Sequence, residues 1–151
     1  MRTFEKFADL TALVGQEVAV SDWITVSQEQ INQFAQATGD HQWIHVDVER
    51  AKAGPFGAPI AHGFLTLSLI PMLSQNAMEI RQNGMGVNYG LNKVRFTGPV
   101  PAGSRVRGRF TLLKSEPIAN DGLQITWQVS IEREGVAKPV CVAESIGRRY
   151  G

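Results

Sequence analysis

Gly63-Phe64-Leu65-Thr66-Leu67-Ser68-Leu69-Ile70-Pro71-Met72-Leu73-Ser74-Gln75-Asn76-Ala77-Met78 is the stretch on which the fold turns. Phe64, Leu65, Leu67, Leu69, Met72 and Leu73 leave almost no polar side at helical spacing, which predicts a central helix buried on most faces. Pro71 has no N–H to donate, so a kink or a shifted boundary is expected there. The run is also shorter than the roughly 20 apolar residues that cross a bilayer, so no membrane span is expected.

Working outward, the pattern changes after Asn83-Gly84. Strands are predicted over 85–96, 104–115, 123–133 and 139–150, separated by Gly98-Pro99 with Pro101-Ala102-Gly103, by Asn120-Asp121-Gly122 and by Glu134-Gly135. On the other side, Ser27 is a good helix cap, and Ile31, Phe34, Ala35 and Thr38 recur at helical spacing until Gly39, which predicts a helix from about Gln28 to Ala37. A short helix capped by Asp47 follows, and Gly54-Pro55-Phe56-Gly57-Ala58-Pro59 then breaks regular structure. Helices first and strands afterwards imply an α+β single domain over residues 1–151, with an antiparallel meander packed on the buried helix and no parallel βαβ unit.

Composition narrows the function. The 151 residues are 43% hydrophobic and 19% charged, ordinary for a folded domain. A net charge of +1, with no basic cluster interleaved with aromatics, argues against nucleic acid as a partner. The start, Met1-Arg2-Thr3-Phe4-Glu5-Lys6-Phe7, lacks the apolar core of a secretory signal, so a cytoplasmic location is expected. The lone cysteine, Cys141, lies in Val140-Cys141-Val142-Ala143 and reads as a packed strand residue.

The chemistry is concentrated in Ala37-Thr38-Gly39-Asp40-His41-Gln42-Trp43-Ile44-His45-Val46-Asp47. A carboxylate and an imidazole five positions apart, beyond a glycine-terminated helix, are expected on a loop or tight turn that aims both at one water molecule. A second segment, Ile60-Ala61-His62-Gly63-Phe64, opens the buried helix, where free backbone N–H groups favour developing negative charge. Without a side chain at Gly63, a ligand carbonyl can approach that amide closely.

Together with Tyr89-Gly90-Leu91-Asn92-Lys93-Val94-Arg95-Phe96 and Pro99-Val100-Pro101-Ala102-Gly103-Ser104, these segments resemble the MaoC-like, R-specific enoyl-CoA hydratase family across roughly residues 20 to 148. The resemblance implies a hotdog fold, a curved antiparallel sheet wrapped around a long central helix. It also implies a homodimer that binds acyl-CoA or an acyl-carrier-protein thioester near the subunit boundary and needs no cofactor. In family terms Asp40 and His45 hold the water that adds to C3 of a trans-2-enoyl thioester, and the Gly63 amide stabilises the enolate oxygen. Gln42, His62, Asn88 and Tyr89 are the expected substrate-binding residues. Gln42-Trp43 stands where many members carry Asn-Pro, and Pro71 stands where some carry a serine.

Blander readings accompany each site. Asp40 alone reads as a turn cap, and it is the pairing with His45 that favours catalysis. His62 reads as support for the Gly63 turn or as pocket lining. His41, His45, Asp47 and His62 match no common zinc spacing, so no metal is expected. Arg105, Arg107 and Arg109 alternate along one strand face, solvated by default and otherwise suited to CoA phosphates. Two rival functions stand beside the hydratase: a hotdog thioesterase, and a non-catalytic module that binds acyl-CoA or acyl-carrier protein.

Overall fold

The computed structural model describes residues 1–151. The chain opens with β1 (Arg2–Phe4), a 3-10 helix (Phe7–Leu13), β2 (Glu17–Val20) and β3 (Ile24–Thr25). Next come α1 (Gln28–Thr38), α2 (Trp43–Val46), α3 (Val48–Lys52), α4 (Gly63–Ser68) and α5 (Ile70–Ala77). The remainder is β4 (Met78–Ile80), β5 (Met85–Phe96), β6 (Arg105–Ile118), β7 (Gly122–Arg133) and β8 (Cys141–Tyr150).

The central helical stretch is in two pieces. Pro71 sits in the first turn of α5, where its missing N–H leaves no bond unmade, and Leu69 keeps right-handed backbone as the hinge between α4 and α5. Met78, expected at the helix end, instead begins β4. Leu65, Leu69 and Leu73 are buried in one cluster with Val106, Phe110, Leu112, Ile125, Val129 and Ile131, so the helical layer packs on the concave face of the sheet.

That sheet runs β2-β6-β7-β8-β5, with β3 also pairing to β6. Strands β6, β7 and β8 form the expected meander, but β5 pairs with β8 instead of β6. The expectation of a simple meander is therefore corrected. The link from β5 to β6 crosses the sheet because its middle is fixed beneath the loop before α4: the Ala61 N–H donates to the Val100 carbonyl at 2.8 Å, and Ile60 bridges Pro101. Val100 is 3% exposed, and its burial holds the crossing in place.

The five short elements outside α1–α5 and β5–β8 were not foreseen. They include a parallel pair, β1 with β4, in which Arg2 stands opposite Met78 and Phe4 opposite Ile80. On the outer face of β6 the arginine row meets acids: Arg105 pairs with Glu134 at 2.9 Å, Arg107 with Glu132 at 3.3 Å, and Arg109 with both Glu132 and Glu17. This is the solvated strand face of the default reading. Cys141 is fully buried, and burial pushes its thiol pKa up to about 11, so it stays a protonated packing residue.

Candidate active site

Two helix ends build the site. Ser27 caps α1 by accepting the Gln30 N–H at 3.1 Å, and Gly39 closes it at φ 83, a left-handed turn that a residue with a Cβ enters only at a cost. The chain therefore leaves α1 sharply and places Asp40 beside the start of α4. Asp40 is exposed, and its carboxylate accepts the Gln42 main-chain N–H at 3.3 Å. It is the backbone of Gln42 that holds Asp40.

His45 stands on α2, a single helical turn, and Asp40 lies on the loop just before it. The turn forms because Gln42 and Trp43 accept from the His45 and Asp47 amides, and Gln28 of α1 braces it by donating to the His45 carbonyl at 2.8 Å. Trp43 faces away from the pair: the Arg50 guanidinium lies 4.2 Å from its ring, and its edge packs on Gly54.

His45 is 6% exposed, and its Nδ1 lies 2.7 Å from the Ile60 carbonyl. A carbonyl only accepts, so Nδ1 carries the proton and Nε2 presents a lone pair. Burial is the chief influence on this imidazole and holds its pKa below the ordinary 6.5; the bond to Ile60 opposes that, His62 adds to it, and the Asp40 charge opposes it.

His62 takes a place the sequence did not suggest. Its ring stacks on His45 with centroids 3.9 Å apart and an angle of 24°, and Phe34 of α1 covers it at 4.9 Å. Nε2–H donates to the Asp40 carbonyl at 2.9 Å, while Nδ1 is buried without a partner. At 2% exposure His62 does not line open space, so its expected substrate contact gives way to a bridge between the Asp40 backbone and the His45 ring. No one-dimensional signal pairs these two histidines, because the stack is made by α2 and the start of α4 meeting in space.

Gly63, the first residue of α4, has an N–H with no hydrogen-bond partner within the chain. A Cβ built there would lie 2.9 Å from the Phe96 ring, so only glycine lets β5 close over this helix start. Gly63, Phe96 and Thr66 border a cavity of about 180 Å³. Asn88 and Tyr89 lie elsewhere: they line a groove of about 350 Å³ with Leu67, Ser68 and Pro71, and it includes neither Asp40 nor His45. The Arg148 guanidinium lies 3.6 Å from the Tyr89 ring centre. Within one chain, Asn88 and Tyr89 therefore do not join the acid–imidazole pair.

Ligand atoms of Asp40, His45 and His62 all lie within 4.8 Å of one another, so of the residues weighed for a metal only His45 and His62 come together. Each ring already spends one nitrogen on a carbonyl. Stacked rings direct their remaining lone pairs side by side, not at one point, which suits proton handling better than chelation.

Residues 9–133 match the family model described as the MaoC like domain. The chain belongs to the MaoC-like domain family. It is 57% identical over 148 residues to 3-hydroxyacyl-thioester dehydratase Z of Mycobacterium tuberculosis, covering 98% of each chain. Among solved structures, the monoamine oxidase regulatory protein from Archaeoglobus superposes with a TM-score of 0.77 at 23% identity, covering 99% of this chain and 97% of that one. R-hydratase PhaJ1 from Pseudomonas aeruginosa superposes with a TM-score of 0.67 at 23% identity, covering 89% and 79%. These two likenesses establish the MaoC-like hotdog fold. No helix of the chain is long and apolar enough to cross a membrane.

Proposed function

We propose that the protein is a hydro-lyase that reversibly adds water to a trans-2-enoyl thioester, giving the 3R-hydroxyacyl thioester, with CoA or acyl-carrier protein as the carrier. The reading is carried by the neutral His45, a ring nitrogen of which lies within 4.8 Å of a carboxylate oxygen of Asp40, in a chain so similar to a named 3-hydroxyacyl-thioester dehydratase. Asp40 and His45 hold one water between them. As its oxygen bonds to C3, one of the pair accepts a water proton; a proton from the pair is delivered to C2 on the same face, and the pair returns to its starting protonation. The Gly63 N–H faces the thioester oxygen, which gains negative charge as C3 is attacked.

A homodimer fits the same picture. β5 pairs on one side only, with β8, and its Val87, Tyr89, Leu91 and Phe96 are exposed along with Phe64 of α4. A twelve-residue apolar edge invites a second copy. Across such an interface the groove at Asn88 and Tyr89 meets the other subunit's surface, which accounts for its separation from the acid–imidazole pair in a single chain. A cytoplasmic location accords with an intracellular thioester substrate.

The decisive experiment follows the conjugated enoyl absorbance of crotonyl-CoA with purified protein. Asp40→Asn and His45→Gln are each expected to lower kcat by about 10²–10⁴. Wild-type protein that leaves crotonyl-CoA and longer enoyl-CoAs unchanged overturns the reading, and release of free thiol instead of loss of conjugation selects a thioesterase.

A further inference from the structure

The groove at Asn88 is the mouth of something longer. Through Ile70, Pro71, Asn88 and Ser145 it runs into a second cavity of about 330 Å³ between α5 and the sheet. That cavity shares Ser74, Gln75, Ile125, Trp127 and Arg149 with a third, of about 240 Å³, that ends at Phe7 and Leu10. The three form one channel along the helical layer, and no aspartate or glutamate lines any part of it.

Arg149 stands where the second and third cavities join. It shares an inward face of β8 with Ser145 and Gly147, and it makes no ion pair and no side-chain hydrogen bond, whereas its neighbour Arg148 bonds to Gln124 at 3.0 Å. Its cross-strand partner is Gly86, where a Cβ would lie 1.7 Å from Arg149 Nη1. The strand thus leaves a gap at that position, and the guanidinium occupies it. Burial without a countercharge pulls the guanidinium pKa down, a cost that an anion would remove. A cation whose nearest compensation is the Phe7 ring, 6.0 Å away, inside an acid-free channel with Ser74, Gln75 and Ser145 as further polar wall, is an incomplete ion pair.

We infer that the channel receives an acyl thioester whose far end carries a carboxylate, bound by Arg149. The inference rests on the acyl-thioester reading above. Ser74 lies eleven residues beyond Gly63 along the helical layer, about 16 Å at 1.5 Å per residue, so a thioester held at Gly63 reaches Arg149 only through a long acyl tail that enters by the Asn88 groove. One guanidinium among apolar walls such as Phe110 and Trp127 matches a single bidentate carboxylate. The phosphates of the carrier would need a wetter and more basic site.

Calorimetry with saturated thioesters tests this without depending on turnover, comparing tetradecanedioyl-CoA with tetradecanoyl-CoA and hexadecanedioyl-CoA with hexadecanoyl-CoA, chains long enough to span about 16 Å. Wild-type protein is expected to bind the carboxylated member of at least one pair about tenfold or more tightly, as a charge-assisted bond implies. Arg149→Met should abolish that advantage and Arg149→Lys should retain part of it. Equal or tighter binding of the methyl-ended thioesters overturns the inference, as does an advantage that survives in Arg149→Met. Equal weakening of all four thioesters and of free CoA assigns Arg149 to the carrier phosphates and also overturns it. Crotonyl-CoA hydration by wild-type protein tests the hydro-lyase reading separately.

Discussion

A histidine that donates one nitrogen to a carbonyl has its tautomer chosen for it, and His45 does so to Ile60. Because burial lowers its pKa, the proton-accepting form persists below pH 6.5, and the acid limb of kcat/KM is expected to fall below that value in a pH–rate profile. Stability follows the same sign: the unfolded imidazole takes up its proton near 6.5 and the folded one resists. This contribution is therefore complete above about 6.5 and is lost as pH drops towards the lower, folded value. His62 acts on the same chemistry through position. His62→Phe keeps a ring against His45 but removes the bond to the Asp40 carbonyl. It is expected to lower kcat by about tenfold with KM little changed, and to alter stability by no more than about 1 kcal/mol in a denaturant melt. Asp40 and His45 were legible in the sequence because both sit in one short segment. The histidine stack and the true neighbours of Asn88 and Tyr89 were not, since each depends on contacts between distant segments.

Among the elements, α1 does most to place the acid. Gly39 ends it at φ 83 with open space where a Cβ would lie, so Gly39→Ala introduces backbone strain without a clash. A loss of about 1–2 kcal/mol is expected from the shift in urea midpoint, accompanied by a fall in kcat because Asp40 is the next residue. The helix caps and the long strands β5, β7 and β8 lay close to where their turn residues and apolar patterns predicted. β2, β3 and β4 escaped notice because strands of two to four residues carry no readable alternation. The placement of β5 beside β8 is likewise a matter of which edge is free, and Phe96 closing over Gly63 depends on it.

For the whole molecule, the exposed edge of β5 sets the expected assembly. Sedimentation of the wild-type protein should give twice the chain mass, and Leu91→Glu, a charge on that strand, should shift the population towards single chains. A wild-type protein that sediments as one chain at micromolar concentration excludes the dimer. Activity should fall with dissociation if the groove at Asn88 and Tyr89 is completed across the interface. The outer row of Arg105, Arg107 and Arg109 is already matched to Glu134, Glu132 and Glu17, so raised salt should cost little stability.

The first thirteen residues do a second job besides pairing. Leu10 is wholly enclosed, Phe7 and Leu10 wall the far end of the channel, and the segment is stitched down by Arg81 N–H donating to Phe4 and by Phe7 N–H donating to Gln82. They work as a stopper, setting how deep a guest can travel. Shaving them off would unblock that end and let a longer guest through.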